Sequence, residues 1–134
     1  MTNTPGTLFE AIGGFHKIEK LVEAFYARVA RHPDLIPIFP DDLTETSRKQ
    51  TQFLTQFLGG PALYTEEHGH PMLRRRHLPF PITPTRRTAW LTCMEEALIE
   101  AEVEEPYRSI IFERLTATAN HMMNTPEDEK GESM

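Results

Sequence analysis

The stretch Arg74-Arg75-Arg76-His77-Leu78-Pro79-Phe80-Pro81-Ile82 sets one histidine after three arginines and just before a proline-rich breaker. A histidine ending a helix directs one ring nitrogen toward whatever the helix covers. A neutral imidazole can ligate a metal through that nitrogen. Guanidiniums beside it can hold carboxylates. A nitrogen for iron and cations for propionates are together what a haem requires. The plainer alternative is a histidine that caps a helix in a basic turn. The polar residues elsewhere must decide between the two.

Three apolar stripes carry such residues. Tyr26 lies on the face marked by Phe15, Ile18, Leu21, Val22, Phe25 and Val29. Thr46 and Gln50 share a face with Phe53, Leu54 and Phe57, and Trp90 stands one helical turn before Met94. Each has an ordinary structural explanation: a buried tyrosine or tryptophan commonly places its polar atom at a boundary or on a carbonyl. Jointly, an O–H, an amide N–H and an indole N–H from three helices point to a polar pocket in an apolar shell. Such a pocket costs stability unless a ligand or water satisfies it.

Other candidates lead to less. His68 and His70 form an H-x-H pair without a third ligand at metal-site spacing, so they read as loop or helix-start residues. His16, His32 and His121 read as structural or solvent-facing. Met72, Met94, Met122 and Met123 read as core fillers, and Cys93 as an inert helix residue. No serine–histidine–acid set, phosphate loop or paired carboxylates stand out.

The elements that must position these groups are helical almost throughout. Steps of three, one and four predict an amphipathic helix over 15–31, entered after Gly13-Gly14 and ended by His32-Pro33. Residues 33–40 hold at most a short helical turn. Asp41 and Asp42 can cap the next helix, with Glu45 completing a loose capping box. That helix runs to about Leu58 and stops at Gly59-Gly60-Pro61. Residues 61–70 read as a loop, and a short helix then leads to His77. Thr83-Pro84 supplies a cap and a proline at the first helical position. Trp90, Met94, Ala97, Leu98 and Ala101 line the helix that follows. A last helix restarts at Glu105-Pro106, with Tyr107, Ile110, Ile111, Leu115, Ala119 and Met122 as its stripe. Residues 125–134 read as an acidic, disordered tail.

Composition bounds the function. A chain of 134 residues with 39% hydrophobic and 25% charged residues suits one domain around a single core. A net charge of −6 argues against nucleic-acid binding. No apolar run approaches the roughly 20 residues of a membrane span. The first residues lack the features of a signal peptide, and the single cysteine suits a reducing cytoplasm.

The chain resembles the group II truncated haemoglobins over roughly residues 7–124. The resemblance rests on Gly13-Gly14, Phe25-Tyr26, Phe39, Gly59-Gly60-Pro61, Gly69-His70-Pro71-Met72-Leu73, Arg76-His77, Leu78-Pro79-Phe80-Pro81-Ile82 and Trp90. It implies an all-α fold: a globin-like two-on-two helical sandwich enclosing a haem, in a domain at 1–124. It implies haem b as cofactor and His77 as the proximal iron ligand. Tyr26, Thr46, Gln50 and Trp90 match its distal pocket, and Phe39 the aromatic on the haem face. Lys49, Tyr64 and Arg76 match positions near the propionates.

The expected ligand is O2, with NO, CO or peroxide as further candidates. A hydrogen bond to a charged group contributes about 1.5–3 kcal/mol, and each 1.4 kcal/mol is a factor of about ten. Two or three donors would strengthen O2 binding on the order of 10² to 10³, giving slow release. That suits storage, scavenging or sensing better than transport. The alternative is a haem enzyme with peroxidase or NO-detoxifying activity. Turnover of O2 would need a reductase, since the chain carries no flavin or nicotinamide motif. Either form is expected as a monomer or homodimer.

Overall fold

A computed structural model describes residues 6–127 and contains, in that range, helices and turns but no strand. The short α1 spans Leu8–Ala11. Four long helices follow: α2 (Phe15–Val29), α3 (Thr44–Phe57), α6 (Pro84–Glu100) and α7 (Tyr107–Met122). Between α3 and α6 lie two short ones, α4 (Leu63–His68) and α5 (Leu73–His77), and a 3-10 turn occupies Ile36–Ile38. Packing pairs α2 with α3 and α6 with α7, and joins the pairs through α2 and α6. This is the expected two-on-two sandwich. No helix among the described residues is long and apolar enough to cross a membrane.

The core sits where the pairs meet. Ile18, Leu21, Phe25 and Val29 of α2 meet Leu54, Met94, Ala97, Leu98, Ile111 and Leu115, all essentially inaccessible to water. Lys17 of α2 donates to the carbonyl of Ala101 at 2.8 Å and so caps the end of α6. Thr83 and Pro84 start α6 as expected, with Thr83 Oγ1 accepting from the Arg86 amide at 3.1 Å.

Gly59-Gly60 does more than end α3. A Cβ on Gly60 would lie 2.9 Å from the Phe9 ring, and one on Gly59 2.7 Å from Thr7 Cβ. The double glycine therefore lets α1 settle against the end of α3, where the Phe9 amide donates to the Leu58 carbonyl at 2.8 Å.

Four expectations need correction. Residues 63–68 form α4 rather than loop. Gln56 of α3 exchanges two hydrogen bonds with Thr65, at 2.7 and 2.9 Å, and Arg48 and Gln52 hold Glu67. A six-residue helix is marginal alone, so these partners along α3 account for it, and no local pattern announces them. The capping box at α3 does not form. Leu43 takes the cap position, Asp42 accepts from the Thr44 amide, and Glu45 turns to Arg48. Phe15 and Ile110 leave their stripes for solvent, each at the first turn of its helix before the face enters the core. Met72 is also exposed rather than a core filler, because it turns the chain into α5 in the left-handed region at φ 42°.

The expected tail begins at residue 125. The Thr125 amide donates to the Ile82 carbonyl at 3.3 Å, and Glu127 accepts from the Thr85 amide and hydroxyl. Residues 128–134 lie outside the described residues.

Candidate functional site

A cavity of about 980 Å³ opens between the helix pairs, at the upper end of the roughly 300–1,000 Å³ typical of ligand pockets. It is lined by residues from α2, α3, α4, α5, α6 and α7 and from the turns at 35–40 and 80–82. All nine residues singled out in the sequence border it: Tyr26, Phe39, Thr46, Lys49, Gln50, Tyr64, Arg76, His77 and Trp90. Among the described residues no carboxylate lines it.

His77 is the last residue of α5, and the helix geometry sets its chemistry. Its Nδ1 lies 2.7 Å from the Leu73 carbonyl, one turn back. A carbonyl can only accept, so Nδ1 carries the proton and Nε2 is left with the lone pair. That arrangement fixes the tautomer and ring orientation of a metal-binding histidine.

Asn124 locks the turn that follows. Its amide nitrogen donates to the carbonyls of His77 (3.1 Å) and Phe80 (3.0 Å), and its oxygen accepts from the Ile82 amide (3.0 Å). Sequence reading missed this residue: a polar side chain just past the last stripe carries no signal of its long-range partners. Removing the side chain leaves three backbone groups to find water. Asn124→Ala should therefore lower the unfolding free energy by about 1–3 kcal/mol in a urea titration. A change inside experimental error would show that the turn holds itself.

An aromatic run builds another wall. Tyr26 meets Phe39 edge-on at 6.0 Å and Phe25 at 4.8 Å, and Phe25 meets Trp90 at 5.1 Å. These contacts fix the rings of Tyr26 and Trp90. Burial pushes the Tyr26 hydroxyl well above the ordinary phenol range, so it stays a neutral donor. Gln50 and Thr46 join from α3, one turn apart. Among the described residues no hydrogen bond engages the Tyr26 hydroxyl, the Gln50 amide or the Trp90 indole N–H.

The rim is cationic. Lys49 is exposed at the cavity edge. Tyr64, on α4 rather than in a loop, is buried under Arg76, whose guanidinium carbon lies 5.5 Å from the ring centre. Arg76 donates to the carbonyls of Pro71, His68 and His70, at 2.6, 2.9 and 3.0 Å. Its cation is thus held in place by the chain that leads into α5. His68 packs against Tyr64 with ring centres 4.7 Å apart and planes tilted by 46°, and bonds Gln52 at 2.8 Å. Sequence reading also missed Arg86 and Arg87 of α6, which line the same cavity. Arg86 ties α6 to the Asp34 and Pro81 carbonyls, and Arg87 donates to Asn120 at 2.6 Å.

These features fit a haem. The cavity offers a nitrogen lone pair from a tautomer-fixed histidine, largely apolar walls, cations at the rim, and donors with no protein partner.

Comparisons agree. The chain matches the family described as Bacterial-like globin over residues 7–124. It is 61% identical over 121 residues to a group 2 truncated hemoglobin of Bacillus subtilis, covering 90% of this chain and 91% of that protein. Its structure is similar to that of the group II truncated hemoglobin from Bacillus anthracis, with a TM-score of 0.90 and 67% identity over 92% of this chain and 100% of that one. It is also similar to the truncated oxygen-avid haemoglobin from Bacillus subtilis, with a TM-score of 0.86 and 60% identity over 89% and 100% of the two chains.

Proposed function

The chain belongs to the bacterial-like globins and, within them, to the group II truncated haemoglobins; from that premise we propose that it binds O2 with high affinity and releases it slowly. The observation that carries this reading is the set of unengaged donors, Tyr26, Gln50 and Trp90, in the cavity that His77 borders. The oxygen-avid character of the Bacillus subtilis relative supports it.

Haem iron supplies reversible binding of a diatomic ligand. His77 Nε2 is the group that would hold the iron. Arg76, Lys49 and Tyr64 would hold the propionates: Arg76 keeps one terminal nitrogen outside its three bonds to carbonyls. Phe39 lines the pocket beside Tyr26 and would pack against the haem. Tyr26, Gln50 and Trp90 donate toward the ligand, and the walls around them exclude the water that would compete. Trp90 can only donate. Tyr26 donates because burial keeps its proton on. Thr46, one turn from Gln50, adds a fourth polar group, a hydroxyl that can orient the others.

Slow release suits storage, scavenging or sensing. The peroxidase alternative calls for a group that carries protons to and from peroxide. Among the described residues His77 is the one histidine lining the cavity, and Tyr26 holds its proton too tightly for that task. A reducing cytosolic setting belongs to this proposal and suits a chain whose one cysteine, Cys93, is buried and unpaired.

Stopped-flow O2 dissociation tests the reading. The wild type should release O2 on the order of 10² to 10³ times more slowly than the triple variant Tyr26→Phe, Gln50→Leu, Trp90→Phe. Equal rates would remove the donors from the explanation. Absence of a Soret band after haem addition would remove the haem itself.

A further inference from the structure

Charge is distributed unevenly along this acidic chain. Residues 68–94 carry five arginines (Arg74, Arg75, Arg76, Arg86 and Arg87) and no aspartate or glutamate. The rest of the chain holds all 20 acidic residues against nine lysines and arginines, out of 14 in the whole. Oxygen binding absorbs Arg76 at the cavity rim. It does not engage Arg74 and Arg75, which are exposed on α5.

Those two arginines flank a second feature. An open groove of about 620 Å³ runs between α5 and α7, bordered by Met72, Arg74, Arg75 and His121. Met72, in its left-handed conformation, stands 49% exposed at one end, and Leu78 beyond α5 is 56% exposed. An apolar, exposed, positively charged groove is unusual on a chain of net charge −6. It has the composition of a docking surface: apolar contacts within a charged rim.

The groove's floor gives the decisive clue. Leu73, Thr118 and Met122 line both this groove and the large cavity. One layer of side chains therefore separates the groove from the cavity. The same layer includes Leu73, whose carbonyl holds His77 Nδ1 at 2.7 Å. A partner seated in the groove would approach the cavity from the side of α5 and His77, and Tyr26, Gln50 and Trp90 do not line that groove.

We propose that the α5–α7 groove docks an acidic one-electron carrier protein, of the flavin or iron–sulfur class, that returns the iron to its ferrous state. This rests on the oxygen-binding reading, because O2 binding requires ferrous iron. The step balances simply: one electron leaves the carrier, ferric iron becomes ferrous, and no bond forms or breaks. Charge complementarity selects the partner. Opposite charges steer encounter and raise association rates by roughly 10- to 10³-fold at low salt, and a small wet interface suits a transient redox contact. Arg75 is exposed and does not line the cavity. Arg74 also ties down the end of α7 by donating to the His121 and Met123 carbonyls, both at 2.7 Å.

The test uses the haem-loaded full chain and reduced plant-type [2Fe–2S] ferredoxin as the carrier. The second-order rate of ferric-to-ferrous conversion, trapped with CO, is measured across ionic strength. Wild-type rates should fall steeply with salt. Arg75→Glu should lower the low-salt rate about tenfold or more and flatten the salt dependence, and Arg75→Lys should restore both. Amide chemical shifts on adding oxidised ferredoxin should move at 72–75 and 117–122 in the wild type and not in Arg75→Glu. An Arg75→Glu rate equal to wild type, or shifts confined to another face, would overturn the proposal. So would shifts in this groove produced by anionic phosphatidylglycerol vesicles or by self-association but not by ferredoxin. A normal Soret band and CO spectrum in Arg75→Glu keeps this failure separate: loss of those would instead count against the haem reading.

Discussion

Replacing His77 by alanine is expected to abolish stable haem retention. The side chain is half-buried at the end of α5, and its Nδ1 bond to the Leu73 carbonyl orients the ring. No other histidine lines the cavity among the described residues. The apolar walls would still favour a haem through the hydrophobic effect, so the variant should bind it weakly rather than not at all. A ligand bond contributing even about 3 kcal/mol changes affinity by a factor of about 10². The transfer rate of haem to an excess of a tight-binding acceptor globin should therefore rise about a hundredfold or more. Free imidazole, diffusing into the space left by the side chain, should restore a wild-type-like spectrum. If retention and iron coordination stay unchanged, another ligand holds the iron. Met122 and Tyr26, which border the same cavity, are then the residues to replace next.

How much of this was legible beforehand differs by element. The long helices were readable because their faces are buried along their length: Ile18 to Val29 on α2, and Ala89 to Leu98 on α6, repeat at helical spacing. The start of α6 was readable because Thr83 and Pro84 act locally. By contrast, α4 depends on Gln56, Arg48 and Gln52 of a neighbouring helix, partners that lie 9–19 residues away in sequence. The capping box failed for a different reason: Glu45 pairs with Arg48 three residues on, and Arg48 also holds Glu67 at 2.6 Å. The site divides along this line too. Tyr26 and Trp90 stood out as polar groups in apolar stripes, and His77 as a lone histidine between three arginines and a proline-rich breaker. Asn124, Arg86 and Arg87 did not, because their partners come from distant turns and the opposite helix. Arg76 shows a third case. Its place at the rim was readable, but its three bonds to the carbonyls of residues 68–71 were not. Those bonds make it a brace for the segment entering α5 as well as a cation.

Replacing Trp90 by phenylalanine should speed O2 dissociation by about tenfold to a hundredfold. The substitution is conservative in shape. Phe25 holds the tryptophan ring edge-on at 5.1 Å with the planes inclined by 64°, and a phenylalanine can keep that contact. What is lost is the indole N–H, a donor that no protein group engages among the described residues. A hydrogen bond to a charged group contributes about 1.5–3 kcal/mol, which gives the tenfold to hundredfold range. Association should change far less, since losing a contact made after entry acts mainly on the off-rate. Tyr26→Phe removes a second donor from the same wall, and Phe25 touches both rings, at 4.8 and 5.1 Å. Neighbours that share a partner rarely contribute independently. The double variant should therefore release O2 at a rate different from the product of the two single effects. A product within error would mean that the two donors act on the ligand separately. An unchanged rate in Trp90→Phe alone would show that the indole N–H does not meet the ligand, leaving Tyr26 and Gln50 to account for slow release.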